Sequence, residues 1–291
     1  MTTAPGGAGR SFLASRGGAL RLRPDVPVQL ALGGALLLVL VAAAILAPIF
    51  TPFDPVKLNM ANALLPPDSG HWLGTDHLGR DVLTRIAYGA RLSLLVGVAA
   101  VLPAALIGIL LGIGAGYFGR WPDELIMRTT DILLAFPILI LAMGIAVALG
   151  RSLSNAVIAM AIVLLPTYAR LARSQALSVR HRDYVAAAKV LGASDWSILR
   201  RHILPNCLDS IVVQTSLDIG VAIIVVASLS FLGVGAQPPT PEWGAMILEG
   251  KLYMREAWWI STFPGVAMFL TILVLSLIGD GLRDLVDRSG G

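Results

Sequence analysis

Apolar residues along this chain gather in six runs that are separated by more polar segments. The runs cover residues 28–50, 92–118, 125–149, 154–172, 208–232 and 260–280. Each run approaches or exceeds the roughly 20 residues that a helix needs to cross the hydrocarbon core of a bilayer. The fourth run is the least regular, because Pro166 and Tyr168 interrupt its end. The pattern predicts an all-α polytopic membrane protein with six transmembrane helices.

The composition supports a membrane protein. Hydrophobic residues make up 56% of the chain and charged residues 14%, whereas soluble domains carry about 25% charged residues. The single cysteine, Cys207, excludes an intrachain disulfide and a cysteine metal cluster. The net charge of +4 is interpreted here by its position around the membrane, so we expect the lipid bilayer as a partner and no nucleic acid.

The basic residues predict how the chain is oriented in the membrane. A signal peptide at the N-terminus is disfavoured, since the first apolar run is longer than the roughly 7–15 residues of a signal core. With the N-terminus in the cytoplasm, 15 of the 22 Lys and Arg residues fall on the cytoplasmic side. We therefore expect both termini inside. The predicted organisation is a cytoplasmic segment 1–27, a membrane domain 28–285 with outer loops 51–90 and 233–259, and a tail 286–291.

Residues 184–206, YVAAAKVLGASDWSILRRHILPN, form a polar, basic loop between two apolar runs. Gly192 stands where a first helix should stop, and Ser194 and Asp195 suit the start of a second helix that Pro205 ends. The predicted topology places this loop in the cytoplasm. It is interpreted as a docking element, the alternative being an ordinary positively charged inside loop. The candidate docking residues are Ala186, Ala187, Ala188, Gly192, Ala193, Ser194, Asp195, Leu204 and Pro205.

The pattern A-A-A-x-x-x-G, with proline thirteen residues after the glycine, resembles the "EAA loop" of binding-protein-dependent ABC importer permeases. The resemblance implies that residues 184–206 seat in a groove of a cytoplasmic ATPase. Ala186 stands where the family's glutamate would be, so the docking contacts differ in detail from the usual ones.

A second polar segment precedes the second apolar run. Its histidines and aspartates offer a metal site that matches no standard zinc spacing: His71, Asp76, His77 and Asp81. The structural interpretation is favoured, and no metal is expected. Gly74 and Gly79 permit tight turns, Asp76 can accept turn amides, and Asp81 can cap a helix that begins at Val82.

The sequence G-T-D-x-x-G-R-D in this segment resembles the outer loop of the "C"-type subunit in the dipeptide, oligopeptide and nickel branch of ABC permeases. The motif is formed by Gly74, Thr75, Asp76, Gly79, Arg80 and Asp81. Asp131 and Pro137 fit the same branch through D-x-x-x-x-F-P. The resemblance covers residues 28–285 and implies the type I ABC importer permease fold in a bacterial plasma membrane.

Three further patterns lie inside the apolar runs. Glycines at positions 108, 112 and 116 share one helix face and predict close helix packing. Asp131 is expected to pair with Arg128 or to stay hydrated, in preference to a proton relay. In the fifth run, Ser210, Gln214 and Asp218 share a face. They are candidates for the translocation path, and a structural hydrogen bond or ion pair remains the open alternative.

Absent motifs narrow the function. The chain contains no G-x-x-x-x-G-K-[ST], no H-E-x-x-H and no G-x-S-x-G, so we expect neither an ATP-binding loop nor a common hydrolase site. The expected function is a non-enzymatic permease subunit of a peptide importer, without a cofactor of its own. The alternatives are an importer of nickel or another small solute, and a carrier or channel that works without ATP.

The family resemblance also implies the partners. A second homologous permease subunit would complete the pore as a heterodimer. Two ATPase subunits or domains would hold ATP and Mg and drive the transport cycle. An extracytoplasmic solute-binding protein would deliver the peptide substrate to the outer loops.

Overall fold

The structure, a computed structural model, describes residues 27–289, with side chains as far as Val286. Within this range the chain is helical apart from turns and irregular segments, and an isolated bridge joins Thr75 and Asp81. The predicted N-terminal segment 1–27 lies outside the described residues except for Pro27. The last helix continues to Ser289, four residues beyond the predicted end of the membrane domain.

Ten α-helices make up the described residues, together with a 3₁₀ turn at Met60–Asn62 and a π-helical turn at Leu199–Ile203. They are α1 Val28–Phe50, α2 Val82–Phe118, α3 Arg120–Leu134, α4 Ile138–Leu149, α5 Leu153–Arg180, α6 Asp183–Val190, α7 Asp195–Ile198, α8 Leu204–Phe231, α9 Trp243–Lys251 and α10 Trp259–Ser289.

Five helical stretches are long and apolar enough to cross a membrane, as judged by length and composition. They are α1, α2, α5, the continuous stretch Asp195–Phe231, and Trp259–Val286 in α10. Helices α3 and α4 are long and apolar enough only when taken together, and the number of spans is six if this pair counts as one. The predicted all-α membrane architecture is confirmed, and the prediction of six spans depends on this pair.

The prediction of one continuous third span over 125–149 is wrong. Helix α3 ends at Leu134, α4 begins at Ile138, and the two axes differ in direction by 97°. Pro137 explains the break, because it has no N–H to donate and disfavours helical geometry at the preceding residue.

Ion pairs attach α3 to α5. Arg173 Nη2 donates to Asp123 Oδ2 at 2.7 Å, and Arg170 Nη2 lies 2.7 Å from Asp131 Oδ1. Asp131 therefore pairs with α5 and not with Arg128, which pairs with Glu124 one helical turn away. The side chain of Asp131 is 64% exposed, in agreement with the other expectation, that it stays hydrated.

Among the described helices, α2 and α5 form the most extensive contact, and small residues bring them together. A Cβ atom added at Gly112 would lie 2.2 Å from the carbonyl oxygen of Ala169. At Gly108 it would lie 2.5 Å from Tyr168 Cβ, and at Gly116 2.8 Å from Arg173 O. The predicted close packing on this glycine face is confirmed, since a larger residue would push the two backbones apart.

The remaining helices surround this pair. Helix α8 packs against both α2 and α5, and α10 packs against α1, α8 and α9. Helix α2 begins at Val82, ten residues before the predicted apolar run. Its first turns are thus less apolar than the rest of the helix. One end of α2 therefore meets the segment that follows α1, and the other end meets the loop between α5 and α8.

Candidate functional site

Two tight turns shape residues 51–81, the segment between α1 and α2. Gly74 and Gly79 have φ values of +75° and +76°, which glycine adopts without steric strain. Between them, Asp76 Oδ1 accepts hydrogen bonds from the backbone N–H groups of Leu78 and Arg80, both at 2.9 Å. These turns place the Asp76 carboxylate beside the start of α2.

Asp81 connects this segment to α2. Its Oδ1 atom accepts hydrogen bonds from the backbone N–H and the hydroxyl of Thr84, both at 2.7 Å, which caps the helix. Its Oδ2 atom lies 2.9 Å from His71 Nδ1. Thr75 secures the preceding turn, because its hydroxyl accepts a 2.8 Å hydrogen bond from the N–H of Leu65. The start of α2 is therefore fixed by side chains of the segment that precedes it.

A buried group of two arginines and two carboxylates joins the 51–81 segment to α9. We call Asp76, Arg80, Arg85 and Glu249 the arginine cluster. Arg80 Nε lies 2.6 Å from Asp76 Oδ2, and Arg80 Nη2 lies 2.7 Å from Glu249 Oε2. Arg85 Nη2 lies 3.2 Å from the same Glu249 oxygen. Both arginines are 1% exposed, and the paired charges balance, which a buried ionic group requires.

The arginine cluster also bears on metal binding. Asp76, His77 and Glu249 place ligand atoms within 4.8 Å of one another. Both carboxylates are held by Arg80 and Arg85, so a divalent cation would have to displace buried guanidinium groups. The geometry thus favours the structural interpretation of this segment.

The 184–206 loop begins with α6 and a sharp reversal. At the end of α6, the N–H of Gly192 donates to Lys189 O and the N–H of Ala193 donates to Ala188 O, both at 3.0 Å. This pair of bonds is a Schellman motif, and Gly192 has the φ of +82° that the motif requires. The Ser194 hydroxyl then caps α7 by accepting from Ser197 N–H at 3.3 Å. The predicted stop and restart are present.

The predicted end of the second helix at Pro205 is wrong. Pro205 lies in the first turn of α8, and helical structure continues without a break from Asp195 to Phe231. The π-helical turn at Leu199–Ile203 ends two positions before the proline. Its wider ring accommodates a residue that lacks an N–H and crowds the carbonyl four positions earlier.

The turn of the 184–206 loop exposes large apolar side chains. Val190 and Leu191 are 87% and 86% exposed, immediately before Gly192. Of the predicted docking residues, six are exposed and three are half-buried: Ala186, Ala187, Gly192, Ser194, Asp195 and Pro205 are exposed, and Ala188, Ala193 and Leu204 are half-buried. The loop therefore presents a fixed turn with an apolar tip.

Two residues that hold these regions in place were not predicted from the sequence. Glu249 completes the arginine cluster, and it could have been suspected as the lone carboxylate in the apolar helix α9. Tyr117 lies at the end of α2, where its hydroxyl donates a hydrogen bond to Asp195 of α7. Nothing in the local sequence indicates this contact, because 78 positions separate the two residues.

The candidate path residues lie where α8 packs near α5. Gln175 Nε2 donates to Ser210 Oγ at 3.1 Å, and Gln214 Nε2 donates to Asp218 Oδ1 at 3.0 Å. Asp218 is buried and Ser210 and Gln214 are half-buried. All three are thus engaged in polar contacts within this chain.

Comparisons with known proteins show close relatives. The chain is 48% identical over 257 residues to the probable D,D-dipeptide transport system permease protein DdpC of Escherichia coli K12, covering 87% of this chain and 86% of the relative. It is 49% identical to the dipeptide transport system permease protein DppC of Alkalihalophilus pseudofirmus, covering 84% and 80%. It is 46% identical to the glutathione transport system permease protein GsiD of Pectobacterium atrosepticum, covering 91% and 88%.

The fold also matches a solved structure. A chain of the MetNI methionine ABC transporter, in an inward-facing conformation, superposes with a TM-score of 0.52 at 17% identity and covers 66% of this chain and 94% of its own length. Residues 108–289 match the family described as "Binding-protein-dependent transport system inner membrane component". The chain belongs to this family of membrane permeases.

Proposed function

We propose that this chain is the transmembrane permease subunit of an ATP-driven importer that carries dipeptides or short oligopeptides across the plasma membrane. The substrate class rests on the names of the relatives, which describe transport of D,D-dipeptides, dipeptides and glutathione. The solutes in these names are all small and contain amide bonds, and each relative aligns with most of this chain.

The observation that carries the coupling role is the exposed tip of the 184–206 loop. Val190 and Leu191 project from a turn that a Schellman motif and the Ser194 cap hold in shape. Apolar surface left in water costs about 25 cal/mol per Å² relative to buried surface. A partner that covers these side chains would recover that free energy, and a fixed turn would transmit the partner's movement.

The proposed partner at this tip is an ATPase. Two ATPase subunits or domains would hold ATP and Mg, and their closure would move the loop. This chain would then contribute conformational change and no bond chemistry. A second, homologous permease subunit would complete the pore, and large apolar side chains exposed along α1, α2, α4 and α10 offer surface for that subunit and for lipid.

The proposed orientation has both termini in the cytoplasm. It rests on the excess of Lys and Arg in the segments assigned to the inside. The 184–206 loop then faces the ATPase, while residues 51–81 and 233–259 face the solute-binding protein. The arginine cluster would keep that outer surface in a fixed shape for docking.

The path role of Ser210, Gln214 and Asp218 is part of the proposal. A carboxylate inside a span faces the bundle interior or a water-filled cavity. Asp218→Asn retains an oxygen that accepts from Gln214, so it tests the charge alone. Altered uptake with normal assembly would support a path role, whereas loss of the assembled complex would identify a structural one.

Disulfide crosslinking tests the proposed ATPase contact. Leu191→Cys and Ala187→Cys put thiols on the exposed loop surface, and the native Cys207 is buried and does not compete. Each variant is oxidised in membranes that contain the ATPase with cysteines along its predicted groove. Leu252→Cys is the matched control, because Leu252 is 85% exposed but follows α9 at the other end of α2.

Crosslinks from the loop positions and none from Leu252 would support the proposal. Absence of any crosslink from the whole loop would contradict it. Uptake by the complete transporter, measured for a dipeptide, glutathione and Ni²⁺, then tests the substrate. Transport of Ni²⁺ alone would move the function to a nickel importer, and transport without an ATPase would identify a carrier or channel.

A further inference from the structure

One side chain each from α5, α6 and α7 contacts the last turn of α2: Arg180, Lys189 and Asp195. The Tyr117 hydroxyl donates a hydrogen bond to Asp195 Oδ1 at the start of α7. Lys189 Nζ, at the end of α6, lies 5.0 Å from the centre of the Tyr117 ring. Arg180 Nη1, at the end of α5, lies 3.4 Å from Gly116 O. The end of α2 is thus contacted on both sides of the Gly192 turn.

Tyr117 is held more firmly than its position near a helix end would suggest. Its side chain is 4% exposed, while that of the next residue, Phe118, is 54% exposed. A cation over an aromatic ring and a carboxylate that accepts from its hydroxyl are both favourable contacts. Asp195 itself is exposed, so an accessible loop residue is attached to a buried residue of a long membrane helix.

Another face of α2, in its last two turns, is packed against α5. A Cβ atom added at Gly116 would lie 2.8 Å from Arg173 O, and one at Gly112 would lie 2.2 Å from Ala169 O. These contacts leave little room for α2 to slide relative to α5. The hydrogen bond to Asp195 therefore joins the loop to a packed pair of helices.

We propose that Tyr117 is a positioning residue that attaches the 184–206 loop to α2 and transmits loop movement to the membrane helices. The inference rests on the proposed function, since it requires that an ATPase moves this loop. Tyr117 acts through Asp195 and touches neither substrate nor nucleotide. Its loss leaves ATP hydrolysis possible and makes each hydrolysed ATP less effective in transport.

The test uses the complete transporter in proteoliposomes and the variant Tyr117→Phe. This change keeps the buried ring and its contact with Lys189 and removes only the hydroxyl. We expect the amount of peptide imported per ATP hydrolysed to fall about three- to tenfold, the range expected for the net contribution of one intramolecular hydrogen bond. ATP hydrolysis itself and the amount of assembled complex should change little.

Tyr88→Phe is the matched control. Tyr88 also lies on α2, outside the loop, and has a cation over its ring, with Arg91 Cζ 5.0 Å from the ring centre. Loss of this hydroxyl should leave the ratio of import to hydrolysis unchanged. An equal fall in both variants would overturn the proposal, because any tyrosine hydroxyl of α2 would then have the same effect.

Asp195 variants test the bond from its other side. Asp195→Asn keeps an oxygen that accepts from Tyr117 and should restore most of the import lost in Asp195→Ala. The double variant Tyr117→Phe with Asp195→Ala should be no worse than Asp195→Ala alone, because both remove the same bond. Additive losses would overturn the proposal.

The remaining outcomes separate this inference from the function on which it rests. An unchanged ratio in Tyr117→Phe, or a loss of assembled complex that accounts for the lost import, would overturn the role of Tyr117 and leave the importer intact. Wild-type protein that binds no ATPase and imports no peptide would instead overturn the proposed function.

Discussion

At its first turn, α2 meets a segment whose arginines and carboxylates are buried and paired, and at its last turn it meets a loop whose large apolar side chains are exposed. Arg80 and Arg85 are enclosed by their own chain. Val190 and Leu191 project into the surroundings beside Gly192. The same helix therefore connects two regions with opposite distributions of polar and apolar groups.

The difference lies in where each region finds its binding partners. In the 51–81 segment, Asp76, Arg80 and Asp81 find their ion-pair and hydrogen-bond partners within the chain, which holds the segment in shape. The 184–206 loop is also fixed in shape, by a Schellman motif and a helix cap, but Val190 and Leu191 at its tip are not covered by any of residues 27–286. The first region is held in a fixed conformation by its own ion pairs, whereas the second exposes apolar side chains that a partner could cover.

Arg80→Met should cause the largest effect on the first region. It removes one buried cation and leaves Asp76 and Glu249 to share Arg85. Removing one partner of a buried ion pair costs about 3–5 kcal/mol. We expect lower amounts of folded protein in the membrane and a lower thermal unfolding temperature in detergent.

Lys57→Met is the control for Arg80→Met, because it removes a cation of the same segment that is exposed. It should leave both measurements nearly unchanged. Equal stability of the two variants would mean that the arginine cluster does not hold the 51–81 segment in place.

A pair of glycine substitutions compares the two regions directly. Gly79 and Gly192 both have positive φ, so alanine at either position costs about 1–2 kcal/mol of backbone strain. At Gly79 the new Cβ would also lie 1.7 Å from Asn59 O, whereas at Gly192 nothing lies within 4 Å. Overpacking should add about 1–3 kcal/mol at Gly79 only.

Thermal unfolding of the two alanine variants measures this difference. Gly79→Ala should unfold at a clearly lower temperature than Gly192→Ala. The reverse order would show that the Gly192 turn is more closely packed than the Gly79 turn, which would contradict the contacts seen at these two glycines.

Leu191→Ser tests whether the apolar tip is a contact surface. Burying a leucine is worth about 1.5–3 kcal/mol, so retention of the ATPase on the purified permease should weaken at least about tenfold. Leu252→Ser provides the control, since this leucine is equally exposed near the arginine cluster. ATPase retention that drops equally in both variants would rule out a specific role for the tip.

The smallest effect is expected from the exposed turn at Asp68. Hydrogen bonds from the backbone N–H groups of His71 and Gly70 lower the pKa of Asp68 below its usual range. The carboxylate therefore stabilises the folded segment above about pH 4, and this contribution is lost as the pH falls through the lowered pKa.

Asp68→Asn keeps the acceptor oxygen and removes the titration. Between pH 5 and pH 3, the unfolding temperature of the wild type should therefore fall slightly more than that of Asp68→Asn. Identical pH dependence in the two proteins would exclude a contribution from this turn.

Local features of both regions were predictable from the sequence. The glycines at 74, 79 and 192 and the caps at Asp81 and Ser194 follow from backbone geometry, which neighbouring residues determine. The glycine face of α2 was also predictable, because helical periodicity fixes which residues share a face.

Contacts between distant residues were not predictable. The pairing of Arg80 with Glu249 spans 169 positions, and Asp131 pairs with Arg170 although Arg128 is closer in sequence. The effect of each proline on its helix also depended on the surrounding structure. Pro137 separates two helices, whereas Pro205 is accommodated by a π-helical turn. A pattern shows that a proline disturbs a helix, and packing decides how the helix responds.

The length of α2 has a mechanical consequence. Its 37 residues span about 55 Å at 1.5 Å per residue, well beyond a hydrocarbon core of about 30 Å. If α2 moves as one body about a point near its middle, close to Pro103, its two ends swing in opposite directions. A tilt of about 10° would displace each end of α2 by about 5 Å. Such a tilt would move the arginine cluster and the 184–206 loop in opposite directions. A displacement of the loop on one side of the membrane would therefore produce an opposite displacement on the other side.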